Sequence, residues 1–262
     1  MGVVFDHQAA DAYDAWLQSR QGRAIERELD RQIRRLLTPR SRERVLDIGC
    51  GSGNHLLMLN RMGLDITGVD ASPQMVARAR TRFGGRPVVK RGRAEDLPYE
   101  DNEFDLSVMI NTLEFLDNPL VALREAARVT NRKIFIGVFN SLSCDGVLQK
   151  IQGYFGRSLF ARARFFHFWE LKSLLHRVLG EVPLSWFSIG VGPGFMQGMR
   201  SFGGKERWGC SQSRFGFFLG VSAAMAYRVK TENLSLKVEL RKSTAPLVGT
   251  ETLGNLRDGQ GE

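Results

Sequence analysis

Val45–Leu57 reads VLDIGCGSGNHLL. A short apolar run, broken by one acid at Asp47, meets glycines at alternate positions, Gly49, Gly51 and Gly53. A buried strand that ends in such a turn and opens a helix makes a site at the carboxyl edge of a sheet. Backbone approaches a ligand closely because no Cβ intervenes, and helix N–H groups point at it. Two nucleotide ligands fit the pattern. A dinucleotide site asks for GxGxxG, and here the sixth position is Asn54, so the spacing is GxGxG.

Two carboxylates sharpen the choice. Asp70 ends the next apolar run, ITGVD, where an acid can accept hydrogen bonds from ribose hydroxyls in either ligand class. Asp47 stands before the first glycine. A carboxylate there repels a pyrophosphate but suits a ligand that carries ammonium and sulfonium charges.

Outward from this stretch, strands alternate with helices. Ala9 to Leu37 shows helical spacing for one or two helices, ended by Thr38-Pro39. Strands are predicted at Arg44 to Ile48, Asp65 to Val69, Pro87 to Lys90, Phe104 to Ile110 and Lys133 to Phe139. Helices are predicted at Asn54 to Met62, from Ser72-Pro73 onward, and at Pro119 to Val129. That rhythm implies a doubly wound, mostly parallel sheet. After Asn140 it changes. FARARFFHFW (160–169) is dense in aromatics and arginine, a helix follows at Phe168 to Leu179, and a strand at Val182 to Phe187. A glycine-rich loop from Gly190 to Gly209 precedes a strand in Phe215 to Val229, and the chain from Thr231 is polar. We expect one domain over 1–230: a helical cover (1–40), a cofactor-binding core (41–140), and a substrate-side insertion and loop (141–214). A polar tail, 231–262, follows.

The 262 residues are 43% hydrophobic and 25% charged, which fits an ordinary globular domain. Three scattered cysteines (Cys50, Cys144, Cys210) give no disulfide framework and no metal spacing, and point to a reducing, cytoplasmic compartment. No metal site is expected. The longest nearly apolar run, Phe215 to Tyr227, is too short to span a bilayer. Of the net charge of +9, residues 141–214 contribute +6, from ten Lys+Arg against four Asp+Glu. That segment leaves an anionic or amphiphilic substrate, and contact with a membrane surface, open. Nothing in the chain signals an oligomeric state.

VLDIGCGSG resembles motif I of the class I S-adenosylmethionine-dependent methyltransferases. GVDASPQMVARAR is similar to its continuation, and RAEDLPYEDNEFDLSVMINTLEFLDNPLVALREAARV to the segment these enzymes place through the fourth strand. YDAWLQSRQGRAIERE resembles the helical cover of the type 11-like subgroup that methylates small molecules. The resemblance implies a Rossmann-like, seven-stranded sheet with an antiparallel last strand, a helical N-terminal cover and a late insertion. It implies S-adenosylmethionine as cofactor. Gly49, Cys50, Gly51 and Gly53 would form the loop against its methionine part, with Asp47 orienting that loop and the amino group. Asp70 would accept from the ribose hydroxyls, Ala71 and Met75 would contact the adenine, and Asn111 would lie near the methionine carboxylate. The family often has an acid where Arg93 stands, so Glu95, or Ala94 through its backbone, would read the adenine edge. VTNRK (129–133) departs from the glycine turn that relatives carry.

Methyl transfer is a displacement at a carbon the sulfonium activates, so no triad is required and a base only where the acceptor must lose a proton. Tyr13 could close over the cofactor, and His7 and His167 are further candidates for acid–base work. An NPPY-like tetrad and a Pro-Cys nucleophile are absent after the fourth strand, where NTLEF stands, which argues against DNA base methylation. The leading expectation is transfer to an oxygen, nitrogen or carbon of a small molecule. An RNA or protein methyltransferase using the basic segment, a non-catalytic cofactor-binding protein and, more remotely, a nicotinamide oxidoreductase remain as alternatives.

Overall fold

The computed structural model describes residues 7–85, 88–143, 163–190, 209–211 and 214–225. The chain packs as two units, residues 1–227 and 228–262, and every described residue belongs to the first. Most of the basic aromatic stretch in 141–167, the glycine-rich loop and the polar tail lie outside the described residues.

Two helices, α1 (His7–Gln18) and α2 (Arg20–Leu37), precede the sheet. Ser19 separates them because its hydroxyl caps α2, accepting from Gly22 N at 3.0 Å. Then follow β1 (Arg44–Ile48), α3 (Asn54–Asn60), β2 (Asp65–Asp70), α4 (Pro73–Arg82), β3 (Val89–Arg91) and β4 (Phe104–Ile110). A 3-10 turn (Leu113–Phe115), α5 (Pro119–Val129), β5 (Thr130–Phe139), α6 (Phe168–Leu179), β6 (Leu184–Gly190), β7 (Gly209–Ser211) and β8 (Phe218–Ala224) complete it. The strand order is β3-β2-β1-β4-β5-β8-β6-β7. β1 to β5 run parallel, while β8 is antiparallel to both β5 and β6. The predicted mixed sheet with a reversed last strand is what forms, and the three-residue β7 extends its edge to eight strands among the described residues.

Strand alternation divides the core. Val45 and Phe135 face one layer with Ile25, Leu29, Ile33 and Leu37 of α2 and Leu56 of α3. Leu46, Ile48, Ile134 and Ile136 face the other, against Ala122, Leu123 and Ala126 of α5 and Leu171 and Leu175 of α6. Asp47, in phase with Val45, is therefore directed into the layer that holds α2 and α3.

VTNRK, which departs from a glycine turn, forms no separate loop between α5 and β5. Thr130 passes straight from α5 into β5, so the strand starts three residues before the predicted Lys133. Arg132 donates to Leu37 O at 3.1 Å, and Lys133 Nζ to Leu36 O at 2.8 Å. Two cations thus satisfy carbonyls at the end of α2, the dipole's negative pole, and pin the cover to the sheet.

Glu114, in the 3-10 turn, is 1% exposed; its Oε1 accepts from Phe139 N at 2.7 Å and its Oε2 has no partner. Burial raises its carboxyl to about 8, against lowering by the backbone donors of Phe139 and Glu114. The folded chain therefore keeps this proton while the unfolded chain loses it above the usual carboxylate range, so Glu114 lowers stability as pH rises toward 8. Glu114→Gln should gain about 1–3 kcal/mol relative to the parent between about pH 5 and about pH 8.5 in paired thermal melts. A pH-independent difference between the two would refute this.

Candidate functional site

The site lies in the crevice where β1 meets β4, at the carboxyl ends of the strands, the switch point of a doubly wound sheet. All three turn glycines have positive φ: +76° at Gly49, +54° at Gly51 and +83° at Gly53. Their surroundings separate them. A Cβ on Gly49 would stand 2.4 Å from Thr112 Cγ2, because Thr112 Oγ1 crosses from β4 to donate to Ile48 O at 3.0 Å. A Cβ on Gly53 would press on Phe83 and Ala79 of α4, at 3.1 and 3.3 Å. Gly51 lines the cleft, and its N–H donates to Asp70 Oδ2 at 2.9 Å.

Asp70 accepts from Ser72 N through its other oxygen at 2.8 Å, so two backbone donors fix its carboxylate at the end of β2. Burial raises its carboxyl, and those two donors lower it. Ser72 caps α4 by accepting from Met75 N at 3.3 Å, which places Ala71 and Met75 on the same wall. Asn111 follows β4 with φ +52°, a left-handed conformation that Asn tolerates better than most residues.

Beneath the lining sits Asp47, 1% exposed, with no hydrogen-bond partner on either oxygen. Burial lifts its carboxyl to about 7; the charge of His55 pulls it down and that of Asp70 pushes it up. His55, on the first turn of α3, lines the cleft and is 4% exposed, with Nε2 3.3 Å from Glu26 Oε1. Burial would lower its imidazole, but the charge and hydrogen bond of Glu26 and the charge of Asp47 raise it overall. Burial also pushes the Cys50 thiol well up, helped by Asp47 and Asp70.

The cover is latched to this turn. Asp14 of α1 accepts from Ser52 Oγ at 2.7 Å and from Asn54 Nδ2 at 3.0 Å, while Arg82 donates to Asn54 Oδ1. Arg78 reaches Asp14 at 3.6 Å and Asp11 at 2.8 Å. The latch holds Tyr13 and Trp16 over the cleft, stacked with ring centroids 6.2 Å apart. Burial raises the Tyr13 phenol well above its usual value, as do the charges of Glu26, Asp47 and Asp14, against a hydrogen bond from Asn111. A phenol held so firmly protonated is a poor base.

Of the residues expected from sequence, Tyr13, Gly49, Cys50, Gly51, Asp70, Ala71, Met75, Ala94 and Asn111 line one cleft, with Asp47 directly beneath. Gly53 and Glu95 are not in its lining. Gly53 instead seats α3 on α4, and Glu95 pairs with Arg93 at 3.4 Å. His167 is also outside the lining: its Nδ1 caps α6 by accepting from Glu170 N at 3.2 Å. His7 opens α1, and its side chain lies outside the described residues. Sequence reasoning missed Trp16, His55, Thr112, Phe115 and Phe139, all of which line the cleft. His55 carried one signal, its place directly after GxGxGN.

Residues 46–134 match the family model described as a methyltransferase domain. The chain is 35% identical over 141 residues to an uncharacterized protein of Methanocaldococcus jannaschii, covering 52% of this chain and 62% of that one. It is 31% identical over 107 residues to the O-methyltransferase resE of Aspergillus sclerotiorum, covering 38% and 40%. The chain thus spans less than two thirds of the length of these relatives. Among solved structures, an S-adenosylmethionine-dependent methyltransferase of Thermotoga maritima, described as a possible histamine N-methyltransferase, shares the fold. Its TM-score is 0.64 at 23% identity, covering 84% of this chain and 99% of that one. Residues 46–134 thus carry the pattern of a methyltransferase domain, on a fold shared with solved S-adenosylmethionine-dependent methyltransferases. The site fits S-adenosylmethionine: buried acceptors on Asp47 and Asn111 lack donors, and an ammonium would supply them.

Two substitutions test this construction. Gly49→Ala forces a left-handed alanine against Thr112 and should cost about 2–4 kcal/mol in denaturant melts; a loss below about 1 kcal/mol would contradict the packing. Asp14→Ala should leave the sheet intact but open α1, raising amide exchange there by about tenfold in hydrogen-exchange mass spectrometry. Unchanged exchange in α1 would show that the latch does not hold it.

Proposed function

We propose that the chain transfers a methyl group from S-adenosylmethionine to an oxygen, nitrogen or carbon of a small-molecule acceptor. The observation that carries this reading is the pair of buried acceptors, the Asp47 carboxylate and Asn111 Oδ1, left without donors beside the glycine turn. When bound, the cofactor supplies an electrophilic methyl carbon on its sulfonium. Asp70 would hold the ribose hydroxyls, having spare lone pairs beyond those used by Gly51 N and Ser72 N. Gly49, Cys50 and Gly51 would flank the methionine part, and Asp47 with Asn111 its ammonium. Ala71 and Met75 would contact the adenine, and Ala94 would meet its edge.

Rate enhancement then rests on alignment and exclusion of water. Tyr13 and Trp16 from the cover, with Phe115 and Phe139 from the sheet side, supply an apolar wall suited to a small acceptor. Next in the chain to Phe139 is a contact cluster that holds a cation and aromatic rings. Asn140, at the end of β5, donates to Arg214 O and pairs with Phe166. Arg214 lies over the Trp169 ring at 5.2 Å, and Trp169 and Phe215 are exposed. That surface favours an anionic or amphiphilic acceptor.

Calorimetric titration with S-adenosylmethionine should show Asp70→Ala binding at least about tenfold more weakly than the parent, since charge-assisted hydrogen bonds are lost. Undiminished affinity would overturn the assignment. A metabolite extract incubated with methyl-labelled cofactor should then yield a labelled product, whereas binding without turnover on any acceptor pool would favour a non-catalytic role.

A further inference from the structure

We propose that His55 is the cationic partner of the cofactor's α-carboxylate, so that His55 and Asp47 read the two charges of the methionine zwitterion separately. This rests on the S-adenosylmethionine reading above. The methionine end carries an ammonium and a carboxylate, and a buried carboxylate needs a cation or several N–H donors. Among the described residues that line the cleft there is no Arg or Lys, and His55 is the one side chain able to carry positive charge.

The nearest guanidinium groups are engaged elsewhere. Arg78 pairs with Asp11 and Asp14, and Arg82 with Asn54 and Asp14, on the outer side of the turn. His55 is built to be charged. Glu26 of α2 faces Nε2 at 3.3 Å, and Asp47 of β1 adds a second negative charge on the same layer. With Nε2 committed to Glu26, the second N–H of the protonated ring is the donor this proposal assigns to the carboxylate. Glu26 is thus a positioning residue, since it acts through the imidazole. Asp47 and Asn111, which lack donors, take the ammonium end.

A ligand pair isolates the carboxylate: S-adenosylmethionine and decarboxylated S-adenosylmethionine, each titrated calorimetrically into the parent and into His55→Gln. The variant should bind S-adenosylmethionine about tenfold or more weakly and the decarboxylated compound within about twofold of the parent. His55→Lys, which restores a cation, should recover part of the loss. Equal losses for both ligands, or no loss for either, would overturn the proposal. Failure of the parent to bind either compound would instead strike the cofactor reading itself. Should His55→Gln not fold, the parent with ¹⁵N-labelled histidine gives the answer. The His55 ring signals should move with S-adenosylmethionine and not with the decarboxylated compound, and identical responses to both would refute the assignment.

Discussion

The site depends on one close approach, the seating of Thr112 against Gly49 across the β1–β4 crevice. Thr112 Oγ1 bonds Ile48 O, and its methyl occupies the space a side chain at 49 would need. This contact joins the end of β4 to the turn after β1, two neighbouring strands whose connections leave in opposite directions. The turn is thereby held open on its other side, where Gly51 N reaches Asp70 and the cleft begins. Bulk at position 49 would part the strands, and the residues now converging on the crevice would no longer share a wall.

Around this geometry the chain buries more negative charge than its fold needs. Asp47 has no donor, and Asp70 and Glu26 lie close enough to influence the same groups. An uncompensated buried carboxylate costs several kcal/mol. His55 offsets part of that cost within the protein. Under the proposed function, the remainder is a free energy that a cationic ligand would relieve on entering, so the site would trade stability for affinity.

Much of this arrangement was legible in the sequence because it is local. The GxGxG turn, Asp70 at the end of β2, and the Ser72-Pro73 start of α4 are set by backbone conformation and nearest neighbours, and they fell within a residue or two of their expected places. What stayed hidden is long-range. The Glu26–His55 pair spans 29 positions, Asp14 and Ser52 are 38 apart, and Thr112 and Ile48 are 64 apart, separations at which no periodicity reports a contact. Gly53 adds a contact of the same kind: its spacing matches the other two glycines, but it also packs on Ala79 of α4, which the spacing does not report.

Asn54 shows how a departure from one pattern can be a requirement of another. At the sixth position of the turn a dinucleotide site takes glycine, to let helix and strand pack closely. Here the amide donates to Asp14 on the cover and to Ser52 in the turn, while its oxygen accepts from Arg82 of α4. A glycine could make none of these bonds. The same residue that argues against a pyrophosphate therefore binds the N-terminal helix to the turn, and with it Tyr13 and Trp16, which close the apolar side of the cleft. The cover and the cofactor turn act as one polar cluster, so a change that loosens the helix also loosens the site it shields.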